Sequence, residues 1–100
     1  MTTTIVKEVF SVSEQVENAR SLQDVLTHLV TEVGELALEI QISEGKSYKN
    51  SGSDGIVGEA IDVIVCALDI IKLHNPKIKE DYDLYPTVLR KLNKWKETCK

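Results

Sequence analysis

Apolar residues recur along this chain at helical spacing. Over residues 4–19, Ile5, Val9, Val12 and Val16 fall at i, i+4, i+7 and i+11, which predicts an amphipathic helix, with the β-branched content leaving a strand open. A second helix is expected over residues 21–43. Ser21 is an N-cap residue type, and Asp24 three positions on can return a bond to the backbone of the cap. Leu22, Leu26, Leu29, Val33, Leu36 and Ile40 then hold one apolar stripe for about five turns at 3.6 residues per turn. Residues 43–55 lose all periodicity and are rich in Gly, Ser, Asn and charge, so a mobile loop is expected there. A third helix should start after Ser53 or Asp54 and stop before His74-Asn75-Pro76. Its apolar positions, from Ile56 to Ile71, cover most of the circumference, as suits the middle of a bundle. A fourth, over residues 84–98, presents Tyr85, Val88, Leu89, Leu92 and Trp95 on one face, with Pro86 in its first turn. The pattern predicts a single all-α domain over residues 1–100, a four-helix bundle whose second and third helices pair antiparallel.

Composition narrows the class. With 100 residues the chain buries a modest core alone, which favours assembly with further copies. Five Gly, two Pro and 42% hydrophobic residues exclude collagenous and low-complexity classes. A net charge of −4 is the wrong sign for coating a nucleic-acid polymer. Charge is unevenly spread: from Pro86 to Lys100, five cations (Arg90, Lys91, Lys94, Lys96, Lys100) against Glu97 give +4, leaving −8 for the remainder. Cys66 and Cys99 form no CxxC pair, so a zinc cluster or disulfide scaffold is not expected. The first residues do not read as a signal peptide, and the most apolar stretch is interrupted by Glu59, Asp62 and Asp69, so no membrane anchor is expected and the cytoplasm is the default compartment.

The carboxylates carry the candidate chemistry. Glu32, Glu35 and Glu39 (i, i+3, i+7) share one stripe of the second helix with His28, beside the leucine stripe, and no Lys or Arg lies between Arg20 and Lys46. A solvated helix face can look the same. Glu59 and Asp62 are less ordinary, because they interrupt a segment that is apolar on nearly every side and holds no Lys or Arg from Ser53 to Ile71; Asp69 follows two turns later on the same face. An ionised carboxylate taken out of water needs a cation partner, a proton or a metal. Either an Arg or Lys from another segment or a hard divalent ion would serve. If the second and third helices pack antiparallel, E-x-x-E and E-x-x-D converge into an all-oxygen cluster suited to Mg²⁺ or Mn²⁺. His28 at the helix edge and Cys66 one turn after Asp62 are first read as packing residues.

Thr31-Glu32-Val33-Gly34-Glu35-Leu36-Ala37 followed by Gly58-Glu59-Ala60-Ile61-Asp62-Val63 resembles the two signature blocks of the MazG-like, all-α nucleoside triphosphate pyrophosphohydrolases, E-E-x-x-E and then E-x-x-D. The resemblance spans residues 26–73, with an echo in Leu89-Arg90-Lys91-Leu92-Asn93-Lys94-Trp95. It implies that Glu32, Glu35, Glu59 and Asp62 coordinate Mg²⁺, with Mn²⁺ as a substitute, and are the catalytic set. It further implies that a metal-activated water splits a (deoxy)nucleoside triphosphate into the monophosphate and pyrophosphate, and that the chain assembles as a homodimer or homotetramer. Thr31 stands where many members carry the first Glu of the doubled pair, which bears on the number of ions. Candidates for holding the substrate are His28, Lys46, Lys49, Lys91, Lys94 and Trp95. Two other functions fit parts of the pattern: a phosphoribosyl-ATP pyrophosphatase-like enzyme, and a non-catalytic helical module binding a basic partner through its acidic face.

Overall fold

The computed structural model describes residues 3–99, and among them every regular element is helical. α1 spans Ile5–Gln15, α2 Leu22–Ser43, α3 Gly55–His74 and α4 Tyr85–Thr98, with a single π-helical turn over Glu80–Leu84 running directly into α4. The first segment is therefore helical despite its β-branched residues. It ends at Val16, short of Ala19, where the backbone turns extended. Thr4 caps its start by accepting the Lys7 N–H.

The start of α2 follows its sequence pattern. The Ser21 hydroxyl accepts the Asp24 N–H at 3.0 Å and the Asp24 carboxylate accepts the Ser21 N–H at 2.9 Å, a reciprocal capping box. Those bonds to the charged form hold the Asp24 carboxyl below its ordinary value. α3 begins at Gly55 with φ +63°, a left-handed conformation glycine adopts without steric cost. The preceding Asp54 makes no side-chain cap bond.

α2 and α3 form the main packed pair, and α3 also packs against α1. Their contacts run in opposite order along the two helices. Val25 and His28 share a groove with Val65 and Cys66, Glu32 meets Glu59 and Asp62, and Ile42 lies by Ile56 and Val57. The pair is antiparallel, as the connecting loop predicted, but the face of α2 that is buried carries Val25, Glu32 and Glu39, while Leu22, Leu26, Val33 and Ile40 of the apolar stripe expected to form the contact are exposed. α1 is fastened to the far end of α3 by Lys72, whose ammonium donates to the Pro76 carbonyl, pairs with Glu14 at 2.7 Å and lies 5.5 Å from the Phe10 ring centre.

α4 departs from the expected bundle. Its main neighbour is the π-helical turn that precedes it, and none of its residues is buried. At its root, Glu80 accepts a 2.7 Å hydrogen bond from the Thr4 hydroxyl, and Asp83 caps the Lys79 N–H at 2.8 Å. The π turn and α4 then continue without an intervening loop. One chain thus assembles three helices into a body and leaves the fourth as an arm beside the π turn. No helix among the described residues is long and apolar enough to cross a membrane.

Candidate metal centre and active site

Antiparallel packing brings the two acidic motifs together. Glu32 from the middle of α2 and Glu59 and Asp62 from the first half of α3 each offer a carboxylate oxygen, all within 4.8 Å of one another. Glu32 is buried, and Glu59 and Asp62 are half-buried. Glu35, one turn beyond Glu32, is exposed at the rim of the group, close enough for its charge to act on both Glu32 and Glu59.

Two oxygens of this group stand out. Oε2 of Glu32 and Oε2 of Glu59 are out of reach of solvent and have no hydrogen-bond partner. A buried oxygen anion without a donor is unfavourable, and such exceptions in folded proteins call for an explanation. Among the described residues no Lys or Arg makes an ion pair with Glu32, Glu35, Glu59 or Asp62. Desolvation first, then the charges of Glu35 and Asp62, push the Glu32 carboxyl above its ordinary value; desolvation and then Glu35 do the same to Glu59. Without a cation, then, Glu32 and Glu59 hold protons more tightly than free carboxylates do. Glu32, Glu59 and Asp62 together could hold a metal ion through hard oxygen donors.

Asp69 shows the alternative solution on the same helix. Arg20 donates to both of its oxygens, from Nε at 2.9 Å and from an Nη at 2.6 Å, and the Ser13 hydroxyl donates at 2.6 Å. The Arg20 guanidinium holds the Asp69 carboxyl below its ordinary value. Of the acids on that face of α3, the protein supplies a cation to Asp69 and none to Glu59 or Asp62. Arg20 is the one Lys or Arg between Lys7 and Lys46, and that isolation was the signal from which the pairing could have been read. Glu39, in line with Glu32 and Glu35, is also accounted for: buried at the far end of α2, it accepts the Gly52 N–H at 2.6 Å and the Ser51 hydroxyl at 2.9 Å and so fastens the loop between α2 and α3.

His28 reaches Glu32, its Nε2 lying 3.2 Å from Oε1, but its side chain is largely exposed and so does not pack in the core. It also lines a groove of about 500 Å³ between α1, α2 and α3, with Val9, Val12, Val16, Val25 and Val65 on its apolar walls and the Arg20–Asp69 pair among its polar lining. Cys66 is buried at the inner edge of this groove, where burial and the Glu32, Asp62 and Asp69 charges raise its thiol. Such a thiol is an inert packing group. The groove therefore adjoins the carboxylate cluster at His28 and Cys66.

The other substrate-binding candidates are not gathered at the cluster within one chain. Lys46 lies 3.7 Å from Glu44 on the exposed loop, and the backbone N–H of Lys49 donates to Ser47 on the same loop. Lys91, Lys94 and Trp95 are exposed on α4, whose main neighbour is the π-helical turn. No family model, curated protein or solved structure matches the chain.

Proposed function

We propose that this protein is a MazG-like nucleoside triphosphate pyrophosphohydrolase of the cytoplasm, acting on a (deoxy)nucleoside triphosphate as a homodimer or homotetramer. The observation that carries the reading is the pair of buried, unpartnered oxygens on Glu32 and Glu59 beside Asp62, in a protein that pairs Asp69 with Arg20. Glu32, Glu59 and Asp62 would hold Mg²⁺ or Mn²⁺, with Glu35 at the rim of the same group. Bound there, the ion supplies charge neutralisation for the polyphosphate and a more acidic attacking water.

The chain's own residues do the rest. Water adds to the α-phosphorus, the bond from that phosphorus to the bridging oxygen breaks, and pyrophosphate leaves with that oxygen. Glu35, the exposed member of the set, takes the proton lost by the water and passes it to solvent. His28 orients Glu32 from the groove side. The valine-walled groove suits the nucleoside part, since it is apolar and begins where the cluster ends.

The test is pyrophosphate release from a panel of common and damaged nucleoside and deoxynucleoside triphosphates, with Mg²⁺ and with chelator. Release that requires the ion and disappears in Glu59→Gln supports the reading. Absence of release from every substrate, together with absence of saturable Mg²⁺ or Mn²⁺ binding, overturns it in favour of a non-catalytic module.

A further inference from the structure

α1 is the least deeply seated helix of the three-helix body. Phe10 is the one residue of Ile5–Gln15 that is buried, whereas α2 and α3 each bury three. Its main neighbour is α3, and between it and α2 lies the groove rather than packed side chains. Val9, Val12 and Val16 line that groove from the α1 side, and Val12 remains 56% exposed. One seated aromatic ring, with an apolar face turned toward open space, gives α1 little of the packing that holds α2 and α3 together, and helices so placed open locally at low cost.

Beyond Phe10, α1 is held by polar contacts. The Ser13 hydroxyl donates to Asp69 at 2.6 Å and accepts from an Arg20 Nη at 3.1 Å. Glu14, its side chain 63% exposed, pairs with Lys72 at 2.7 Å, and Thr4 before the first turn donates to the exposed Glu80. Water competes for each of these contacts once they part, so none is costly to break. Residues 16–21, between α1 and α2, are not helical, and Val16 is extended, so the chain can swivel there without melting either helix. Arg20 sits at the α2 end of that connection and grips Asp69 through two N–H donors. It is the fixed post, and Ser13 is the member of the trio that travels with α1.

We propose that α1 is a gate on the valine-lined groove: Ser13, Glu14 and Thr4 release their partners, the helix lifts from α3 as a unit about residues 16–21, and the groove opens to solvent down to Cys66 at its inner edge. Glu32, Glu59 and Asp62 all belong to α2 and α3, so the carboxylate cluster stays in place while the gate moves. An occupant of the groove touches valines of α1 together with those of the opposite walls, and this differential contact draws the gate shut. Under the hydrolase reading, on which this last assignment rests, the occupant is the nucleoside part and the gate sets its entry and departure. The gate itself depends on no phosphate chemistry.

Cys66 is a natural reporter, a free thiol only 7% exposed. Cys99→Ser removes the exposed thiol and serves as the background for every variant. N-ethylmaleimide is uncharged, so the carboxylates around Cys66 do not repel it, and when reclosure outpaces labelling the rate follows the population of the open form. Ser13→Ala and Glu14→Gln should each speed Cys66 labelling by about fivefold to tenfold, the worth of one such contact. Glu44→Gln, which removes a charge from the 43–55 loop, should leave it unchanged. Labelling should respond only weakly to low urea, and the amides of α1 should exchange with deuterium as one group while those in the middle of α2 and α3 stay protected. Labelling of Ser13→Ala and Glu14→Gln no faster than that of Glu44→Gln overturns the proposal. So does labelling whose urea dependence matches the loss of helical circular dichroism, because Cys66 is then reached only through global unfolding. Glu59→Gln should label at the background rate, so failure of the gate and failure of the hydrolase reading are separately visible.

Discussion

Arg20 and Asp69 meet through two parallel N–H donors across 49 positions of sequence, and this contact separates a structural carboxylate from the candidate site. Asp62 and Asp69 lie two turns apart on one face of α3, yet only Asp69 has a guanidinium against it. Arg20→Met keeps the aliphatic stem and removes the cation, leaving a part-buried carboxylate without its strongest partner. It should lower stability by about 2 kcal/mol in denaturant unfolding, the worth of hydrogen bonds to a charged group. The Mg²⁺ binding isotherm should be unchanged.

Substitution of the cluster should have the opposite pattern. Glu32→Gln, Glu59→Gln and Asp62→Asn each remove a hard anionic donor, and each also relieves repulsion and desolvation in the metal-free protein. Metal-dependent hydrolysis should fall on the order of a hundredfold or more while the melting temperature stays level or rises. An unfolded Glu59→Gln protein would show that the carboxylate holds the structure together.

Metal binding should be readable without turnover. A cation that binds only the folded state stabilises it by RT ln(1 + [L]/Kd), about 2.7 kcal/mol at a hundred times Kd, or on the order of 10 °C in a chain of this size. Mg²⁺ or Mn²⁺ should raise the wild-type melting temperature by that order and leave Glu59→Gln nearly unmoved. Equal shifts in both would place the ion elsewhere.

The pH dependence should have two limbs of opposite origin. Asp69 is held low by Arg20, so its contribution is present above the ordinary carboxylate range and is lost as pH falls through that range toward its lowered value. Glu32 and Glu59 are raised, so the metal-free fold binds more protons than the unfolded chain; it loses stability as pH rises from the ordinary carboxylate range through their raised values. Arg20→Met should flatten the acid limb and Glu59→Gln the upper one, in melting temperatures recorded with chelator. An upper limb that Glu59→Gln leaves untouched would assign that loss to other groups.

Gly52 tests the loop. A Cβ there would stand 2.9 Å from Glu39 Oε1, so Gly52→Ala must push the carboxylate away from the N–H it accepts. The amide of residue 52 should exchange with deuterium faster, at a stability cost of about 1 kcal/mol. Unchanged exchange would mean that Glu39 does not hold the loop.

Much of the fold is local and was legible in the amino-acid order. Ser21 and Asp24 lie three residues apart, so the capping box and the start of α2 are written within one turn, and the stripe from Leu22 to Ile40 defines that helix by periodicity. The same spacing arguments place Glu32 and Glu35 on one face of α2, and Glu59 and Asp62 on one face of α3. Three things were decided only in three dimensions. Arg20 went to Asp69 rather than to the cluster, Glu39 was taken up by Ser51 and Gly52, and α4 took the π turn at Glu80–Leu84 as its main neighbour. Each depends on contacts between residues distant in sequence or on backbone geometry at a junction, and helical periodicity carries no information about either. A side chain's face follows from its position along its own helix, but the partner it meets there follows from how the helices pack.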